Sequence, residues 1–424
     1  MYDFMLTDVE RAVKMEAREF VKNEVPAELI KEMDKDEVKY PREYVKKLGD
    51  RNLLGLRVPK KWGGRELPWT AEVAVEEEIG VLGCALGCAY VMPSIVSEAI
   101  NTFGTEEQKE KYLVPLLKGE VISAEALTEP RGGSDFFGAT TKAVLDGDCF
   151  ILNGQKRFVV AAAEADFYLA FCRTNFEKDA HPHNTISALI IDKGPGVEAE
   201  YLYGLLGCRG GGTGRLVFRD AKVPKENLVG ELNMGALVFN QTMIPERLTS
   251  AAASLGAFSS LNIALDYSTK RIAFGRPIRK FQAIQFMVAD SITRLDAARG
   301  LVYMAAKAVD TGQPNVRRIV SEAKRFATET AWEIVNNAMQ ILGGIGYTDV
   351  YPIEKALRDT RLSMIWTGTS QIMNLLIQHE YYKEVMETAG QYRDFEADAI
   401  GGDESEKCFS DEDMWSIHEQ VPAQ

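Results

Sequence analysis

The stretch Ala126-Leu127-Thr128-Glu129-Pro130-Arg131-Gly132-Gly133-Ser134-Asp135 joins a strand end to a Pro turn and a Gly-Gly-Ser-Asp loop. Such a loop aims backbone N–H groups and a hydroxyl at an anionic or carbonyl-rich ligand, although a plain surface turn uses the same residue types. Other chemistries find less support. His181 and His183 share a polar loop with no Cys or acid cluster nearby, and His379 and His418 stand alone, so no metal centre is expected. Cys84 and Cys88 have no second Cys pair to complete a zinc site, and with Cys149, Cys172, Cys208 and Cys408 they read as reduced, mostly buried thiols. No Gly-x-Ser-x-Gly or Gly-Lys-Ser/Thr signature occurs. The glycine-rich run Gly207 to Gly214 lacks the dinucleotide register and precedes a strand, so it does not predict a nicotinamide site.

The elements that must hold such a loop follow from periodicity. From Thr7 to Leu117 apolar residues recur every three or four positions, which predicts helices interrupted by a surface turn at Lys60-Lys61-Trp62-Gly63-Gly64. Near Val121 the period moves toward two. Strands are expected at Phe150–Leu152, Phe167–Phe171, Ile186–Ile191 and Arg215–Phe218, with a two-residue hairpin at Asp146-Gly147 and an exit at Val223-Pro224. From Gly235 a helical pattern returns, filling the chain to Glu387 with four or five helices. The reading is α+β in four parts: a helical domain (1–120), a β domain (121–234), a helical bundle (235–387) and an acidic tail (388–424) in which Phe409, Met414 and Trp415 could dock. No internal repeat is evident.

Composition limits the partners. The 424 residues are 46% hydrophobic and 26% charged, ordinary for a globular chain of two or three domains. A formal charge of -13 argues against nucleic acid. No run approaches ~18 uninterrupted apolar residues, so no membrane insertion is expected. The N-terminus carries no import or export pattern, which makes a cytoplasmic location the expectation.

Several motifs, in order and spacing, resemble the acyl-CoA dehydrogenase family over residues 5–385. They are the Leu127 to Asp135 loop, Asn153-Gly154-Gln155-Lys156-Arg157-Phe158, Tyr267 with Arg271, Phe274 and Gly275, Gln340 to Tyr347, Arg358-Asp359, and Gly368-Thr369-Ser370. The resemblance implies an N-terminal helical domain, a middle β domain, a C-terminal four-helix-type bundle, and FAD as cofactor. It implies α,β-dehydrogenation of an acyl-CoA thioester to an enoyl-CoA, with electrons passed to an electron-transferring flavoprotein, and a homotetramer. Leu127, Thr128, Gly133, Ser134, Phe158 and Val160 would line the flavin, with Phe158 replacing the more frequent Trp and Val160 a usual hydroxyl residue. Arg271, Phe274, Gln282, Gln340 and Gly344 would reach the FAD of a neighbouring subunit, and Thr369 and Gln371 would contact the cofactor from the last helical region.

One departure matters most. The family's commonest base is a Glu in an aromatic-Glu-Gly-Thr segment, and here the segment is Trp366-Thr367-Gly368-Thr369. A Thr hydroxyl is no simple substitute for a carboxylate base near neutrality. Relatives acting on isovaleryl and long-chain thioesters carry the base at a Glu-before-Arg position, which points to Glu246 of Pro245-Glu246-Arg247-Leu248. Ser134, Arg247, Val91, Trp366, Thr367 and Gly368 would then border the substrate; Val91, Met92, Pro93 and Trp366 suggest an apolar acyl group rather than a dicarboxylate, and the base displaced by Thr367 opens a branched or alicyclic one. The same scaffold also serves acyl-CoA oxidases and enoyl-CoA reductases, and a chain without the usual Glu could be a non-catalytic CoA-ester or flavin-binding protein.

Overall fold

The computed structural model describes residues 3–402. The chain forms two compact units, Met1–Gln378 and His379–Gln424, so the three expected folded parts pack as one body. The docking of Phe409, Met414 and Trp415 concerns residues outside those described.

Helices α1 (Asp8–Glu24), α2 (Ala27–Asp34), α3 (Arg42–Asp50), α4 (Trp69–Ile79) and α5 (Cys84–Phe103) lead, followed by short α6 (Glu106–Gln108) and α7 (Val114–Leu117). Thr7 and Glu10 close α1 with a capping box that satisfies two otherwise orphaned N–H groups. The expected surface turn at Lys60–Gly64 is a short 3-10 turn whose Trp62 is buried, with Gly63 in the left-handed region. Helix α4 is buried on every side although it carries Glu72, Glu76, Glu77 and Glu78. Glu77 accepts from Lys14 Nζ (2.9 Å), Arg299 Nε (2.8 Å) and Tyr303 Oη (3.0 Å), which ties the first helices to the C-terminal bundle.

The middle sheet comprises β1 (Ser123–Ala126), β2 (Lys142–Asp146), β3 (Cys149–Val159), β4 (Phe167–Arg173), β5 (Ile186–Asp192), β6 (Val197–Leu202), β7 (Gly214–Pro224) and β8 (Leu228–Val229). Its order is β6-β7-β3-β2-β4-β5-β8, with β1 parallel to β4. Strand β4 is apolar from Phe167 to Cys172 because both its faces are covered there. Tyr168, Ala170 and Cys172 pack toward the N-terminal helices, and Phe167, Leu169 and Phe171 pack into a second core. The β2–β3 hairpin forms one residue later than expected: Asp146 still pairs with Cys149, so the loop residues are Gly147-Asp148, with Gly147 at φ +60°.

The C-terminal part has six helices rather than four or five. They are α8 (Gly235–Ser254), α9 (Phe258–Lys270), α10 (Gln282–Asp310), α11 (Val316–Leu342), α12 (Ile353–Ser363) and α13 (Ser370–Glu387), the last of which continues into the second unit. The count exceeds expectation because α8 and α9 meet at a 3-10 turn, Leu255–Ala257, which the apolar period runs through. Two helical stretches, Cys84–Phe103 and Gly235–Lys270, are apolar and long enough by composition to cross a bilayer, although neither is an uninterrupted apolar run. In this fold they are core helices, with 78% and 61% of their apolar windows buried in protein.

Candidate functional site

The Leu127–Asp135 loop is fastened from beneath by a buried ion pair. Lys156 Nζ, on β3, lies 2.8 Å from Glu129 Oε1 and also donates to the carbonyls of Leu127 (3.1 Å) and Phe171 (2.6 Å). Glu129 further accepts from the N–H groups of Thr140 and Thr141 and from the Thr140 hydroxyl. Burial pushes the Glu129 carboxyl up, but the Lys156 ammonium and these donors outweigh it and bring it down to about 2. The Arg157 N–H donates to Thr128 O at 2.7 Å. Gly133 has no room for a side chain: a Cβ there would stand 2.9 Å from Thr128 Oγ1. Ser134 is exposed. At the far end of β3, Phe158 turns into the left-handed region (φ +56°) and leaves its ring 55% exposed, 5.0 Å from the Tyr203 ring. Val160 is half-buried against the core.

The second cluster is built on α8. Glu246 is half-buried, and Arg247 beside it is buried with its Nε unpartnered. Burial and the nearby Arg317 bring the Arg247 guanidinium down to about 10, with Glu246 opposing. Lys324, fully buried on α11, is brought to about 7 by burial and by Arg247, again with Glu246 opposing. The Trp366–Thr369 turn docks onto this group at two points. Trp366 Nε1 donates to Ser250 Oγ (2.9 Å), one helical turn beyond Glu246 on α8, and Lys324 Nζ donates to Gly368 O (2.7 Å). Thr367 sits at φ +51° and Gly368 at +90°. A β-branched residue in the left-handed region costs ~1–3 kcal/mol, a strain that persists only where the surroundings impose it. The Thr367 Oγ1 is buried without a partner, and its N–H donates to no acceptor among the described residues. Met92 and Pro93 are buried and Val91 half-buried on α5.

A further carboxyl belongs to this group, and the sequence reading missed it. Glu125, on β1, is buried and faces both Thr242 and Glu246, which stand one turn apart on α8. Its Oε1 finds no donor. Burial, then the Glu246 carboxyl, push Glu125 well above the usual carboxylate range, so it keeps its proton. An acid among small apolar residues in a buried strand was the available signal. Lys324 gave a similar one, as a cation on the apolar stripe between Val320, Ala323 and Ala327 of α11.

The remaining predicted positions lie elsewhere. Phe274 caps the hairpin of β9 (Ile272–Ala273) and β10 (Arg276–Pro277). It is 95% exposed, and both Phe274 and Gly275 have positive φ, as a type I′ turn demands. Arg271 ends α9, Gln282 opens α10, and Gln340 and Gly344 are exposed around the end of α11. None of these five hydrogen-bonds to the Glu246 group within the described residues of one chain. Thr369 Oγ1 accepts from the Ile372 N–H (3.2 Å), and Gln371 is exposed on the first turn of α13.

Three family descriptions match in succession: Acyl-CoA dehydrogenase, N-terminal domain, over residues 7–120; middle domain, over 124–221; and C-terminal domain, over 233–382. The chain belongs to the acyl-CoA dehydrogenase family. It is similar to the short-chain-specific acyl-CoA dehydrogenase of Clostridium acetobutylicum, at 38% identity over 90% of this chain and 100% of the relative. It is also similar to the 3-(aryl)acrylate reductase of Clostridium sporogenes, at 37% identity over 89% of this chain and 99% of the relative. The structure of butyryl-CoA dehydrogenase from Megasphaera elsdenii superposes with a TM-score of 0.85 at 32% identity, covering 89% of this chain and 99% of that one. Like that family, this acyl-CoA dehydrogenase is an FAD-dependent oxidoreductase acting on CH–CH bonds. Its residues fit the cofactor. The open Phe158 ring offers an aromatic face, and Gly133 leaves room for close approach. The buried Arg157 Nε and Ser370 Oγ are donors still without acceptors.

Proposed function

We propose that Glu246 is the base of this acyl-CoA dehydrogenase, taking the α-proton that a Glu at position 367 would take in most of the family. One observation carries this reading. The Trp366–Thr369 turn is pinned to α8 and α11 by Trp366–Ser250 and Lys324–Gly368, so the segment that lacks a carboxylate lies against the helix that supplies one. Leu127, Thr128, Gly133, Ser134, Phe158 and Val160, with Thr369 and Gln371, would hold the flavin, whose chemistry when bound is to accept the β-hydride. The free Thr367 N–H serves the thioester carbonyl as charge develops on its oxygen. Arg247 and Lys324 are the cations that neighbour Glu246, and Val91 and Trp366 exclude water from an apolar acyl chain.

Glu125 refines the base. Two carboxyls in contact do not both ionise readily, so one proton stays between them. Glu125 holds it and donates to Glu246, leaving Glu246 as the acceptor of the substrate proton. Glu125→Leu removes that donor. The acid limb of the kcat/KM pH profile then moves to higher pH, whereas Glu125→Gln, which keeps an N–H donor, leaves it near the wild-type position. Equal profiles for both variants would show that the carboxyls do not communicate.

A branched or alicyclic acyl group is the substrate class we favour, because the base comes from a different helix than usual. The Phe274 tip and the other exposed positions from Arg271 to Gly344 suit a cofactor reached from a second copy, as in a homotetramer. The experiment is an anaerobic titration of the flavin absorbance with straight-chain, branched and alicyclic acyl-CoA thioesters. Bleaching by the branched or alicyclic class is expected, and bleaching by straight chains alone would overturn the substrate reading. A second reading, net enoyl-CoA reduction, draws on the similarity to the 3-(aryl)acrylate reductase. Glu246 would then deliver the α-proton, and the reduced enzyme would be reoxidised by arylacrylyl-CoA faster than it is formed from the saturated thioester.

A further inference from the structure

The cysteines that read as ordinary buried thiols converge. Cys84 and Cys88 stand one turn apart on α5, and the segment between β6 and β7 brings Cys208 to them from a distant part of the sequence. All three Sγ atoms lie within 4.8 Å of one another, and those of Cys88 and Cys208 are 3.9 Å apart. Sulfurs sharing one tetrahedral zinc at ~2.3 Å stand about 3.8 Å from each other. The Cys88–Cys208 pair is therefore at ligand spacing, well outside the ~2.05 Å of a disulfide bond.

The backbone around the three sulfurs is held from a third domain. Asp359 of α12 accepts the Cys208 N–H at Oδ1 (2.7 Å) and the Cys84 N–H at Oδ2 (3.2 Å), and it pairs with Lys355 (2.6 Å). Gly207 lies flat against α12, where a Cβ would meet the carbonyl carbon of Arg358 at 2.4 Å. Cys208 itself is at φ +56°, a conformation that non-glycine residues adopt only when fixed from outside. A single carboxylate thus clamps two segments that each carry thiols. The arrangement draws on the helical, β and bundle domains together.

A second observation points to a ligand. Glu76 of α4 is fully buried, both its carboxyl oxygens lack any partner, and Oε1 reaches toward α5 to within 3.7 Å of where a Cβ on Gly87 would stand. Gly87 lies on the same face of α5 as Cys84 and Cys88. A buried carboxyl with no donor calls for an explanation that apolar packing does not give.

We propose that Cys84, Cys88 and Cys208 bind one thiophilic d10 cation, Zn2+ or Cu+, which staples the three domains. Binding forms three sulfur–metal bonds, releases three thiol protons to solvent and moves no electrons. Three sulfurs complete a trigonal Cu+ site. Zn2+ prefers a fourth ligand, a position that solvent would fill.

The test uses the FAD-loaded full chain, reduced and handled anaerobically in metal-free buffer, with Co2+, Zn2+ and Cu+ added separately and excess removed. Elemental analysis should find one Zn2+ or Cu+ per chain, and Co2+ should give sulfur-to-cobalt charge-transfer bands. Cys208→Ser and Cys88→Ser should lose both signals while keeping flavin content and bleaching by acyl-CoA. Retention of no metal by wild type, a Cys88–Cys208 disulfide in the unreduced protein, or full metal content in folded Cys208→Ser would each overturn the site. The wild-type measurements stand even if a variant fails to fold.

Discussion

Glu246→Gln keeps its flavin and still binds acyl-CoA, yet its rate of flavin bleaching falls by ~10²–10⁴, the usual contribution of a positioned general base. The substitution is nearly isosteric and retains an amide oxygen that can accept from Glu125, so the surroundings on α8 and β1 have little reason to move. Only the capacity to accept a proton is lost. Stopped-flow absorbance at saturating thioester separates the effect from binding, because the loss should appear in the limiting rate rather than in the half-saturating concentration. A variant that bleaches at the wild-type rate would place the base elsewhere. Thr367→Ala should change the limiting rate far less, since the side chain it removes makes no hydrogen bond.

The largest expected effect on the scaffold comes from Lys156→Met. Both partners of the Lys156–Glu129 pair are almost wholly buried, at 0% and 2% side-chain exposure. Removing one leaves the other charged and unpaired, which costs ~3–5 kcal/mol. The same change frees the Leu127 carbonyl from Lys156, so the variant should also be purified with much less flavin. Urea denaturation at neutral pH measures the loss of stability. Glu129 adds a sign that can be checked. Its carboxyl is held at about 2 in the fold, below the ~4.3 of an unfolded Glu, so the stability it contributes is complete above ~4.3 and disappears as pH falls toward 2. The gap between wild type and Lys156→Met should therefore narrow across that window. A gap that stays constant from pH 6 to pH 2.5 would mean that the pair contributes nothing through its charge.

The outline of this fold was legible because period and punctuation are local properties. The switch from helical period to alternation near Val121, the Pro224 exit from β7 and the helical restart at Gly235 all appear in the structure at those places. What stayed hidden depends on contacts between distant residues. Glu125 and Glu246 are brought together from β1 and α8, and nothing local in either segment announces the other. Cys208 is brought to Cys84 and Cys88 by the packing of a loop on α12, so counting spacings along the chain could find only two of the three. The α8–α9 break was invisible for a different reason, since a single 3-10 turn scarcely disturbs an apolar stripe. For the exposed Phe274 and Gln340, residue type and order gave the expectation, and the fold of one chain leaves them facing outward.

Proton removal at Cα can be read without following the flavin. The enzyme is incubated anaerobically in D2O with the thioester that bleaches it, and the recovered acyl-CoA is examined by mass spectrometry. Wild type and Thr367→Ala should place deuterium at Cα, and Glu246→Gln should recover the thioester unlabelled. Deuterium entering at the wild-type rate in Glu246→Gln would contradict the assignment of α-proton abstraction to α8.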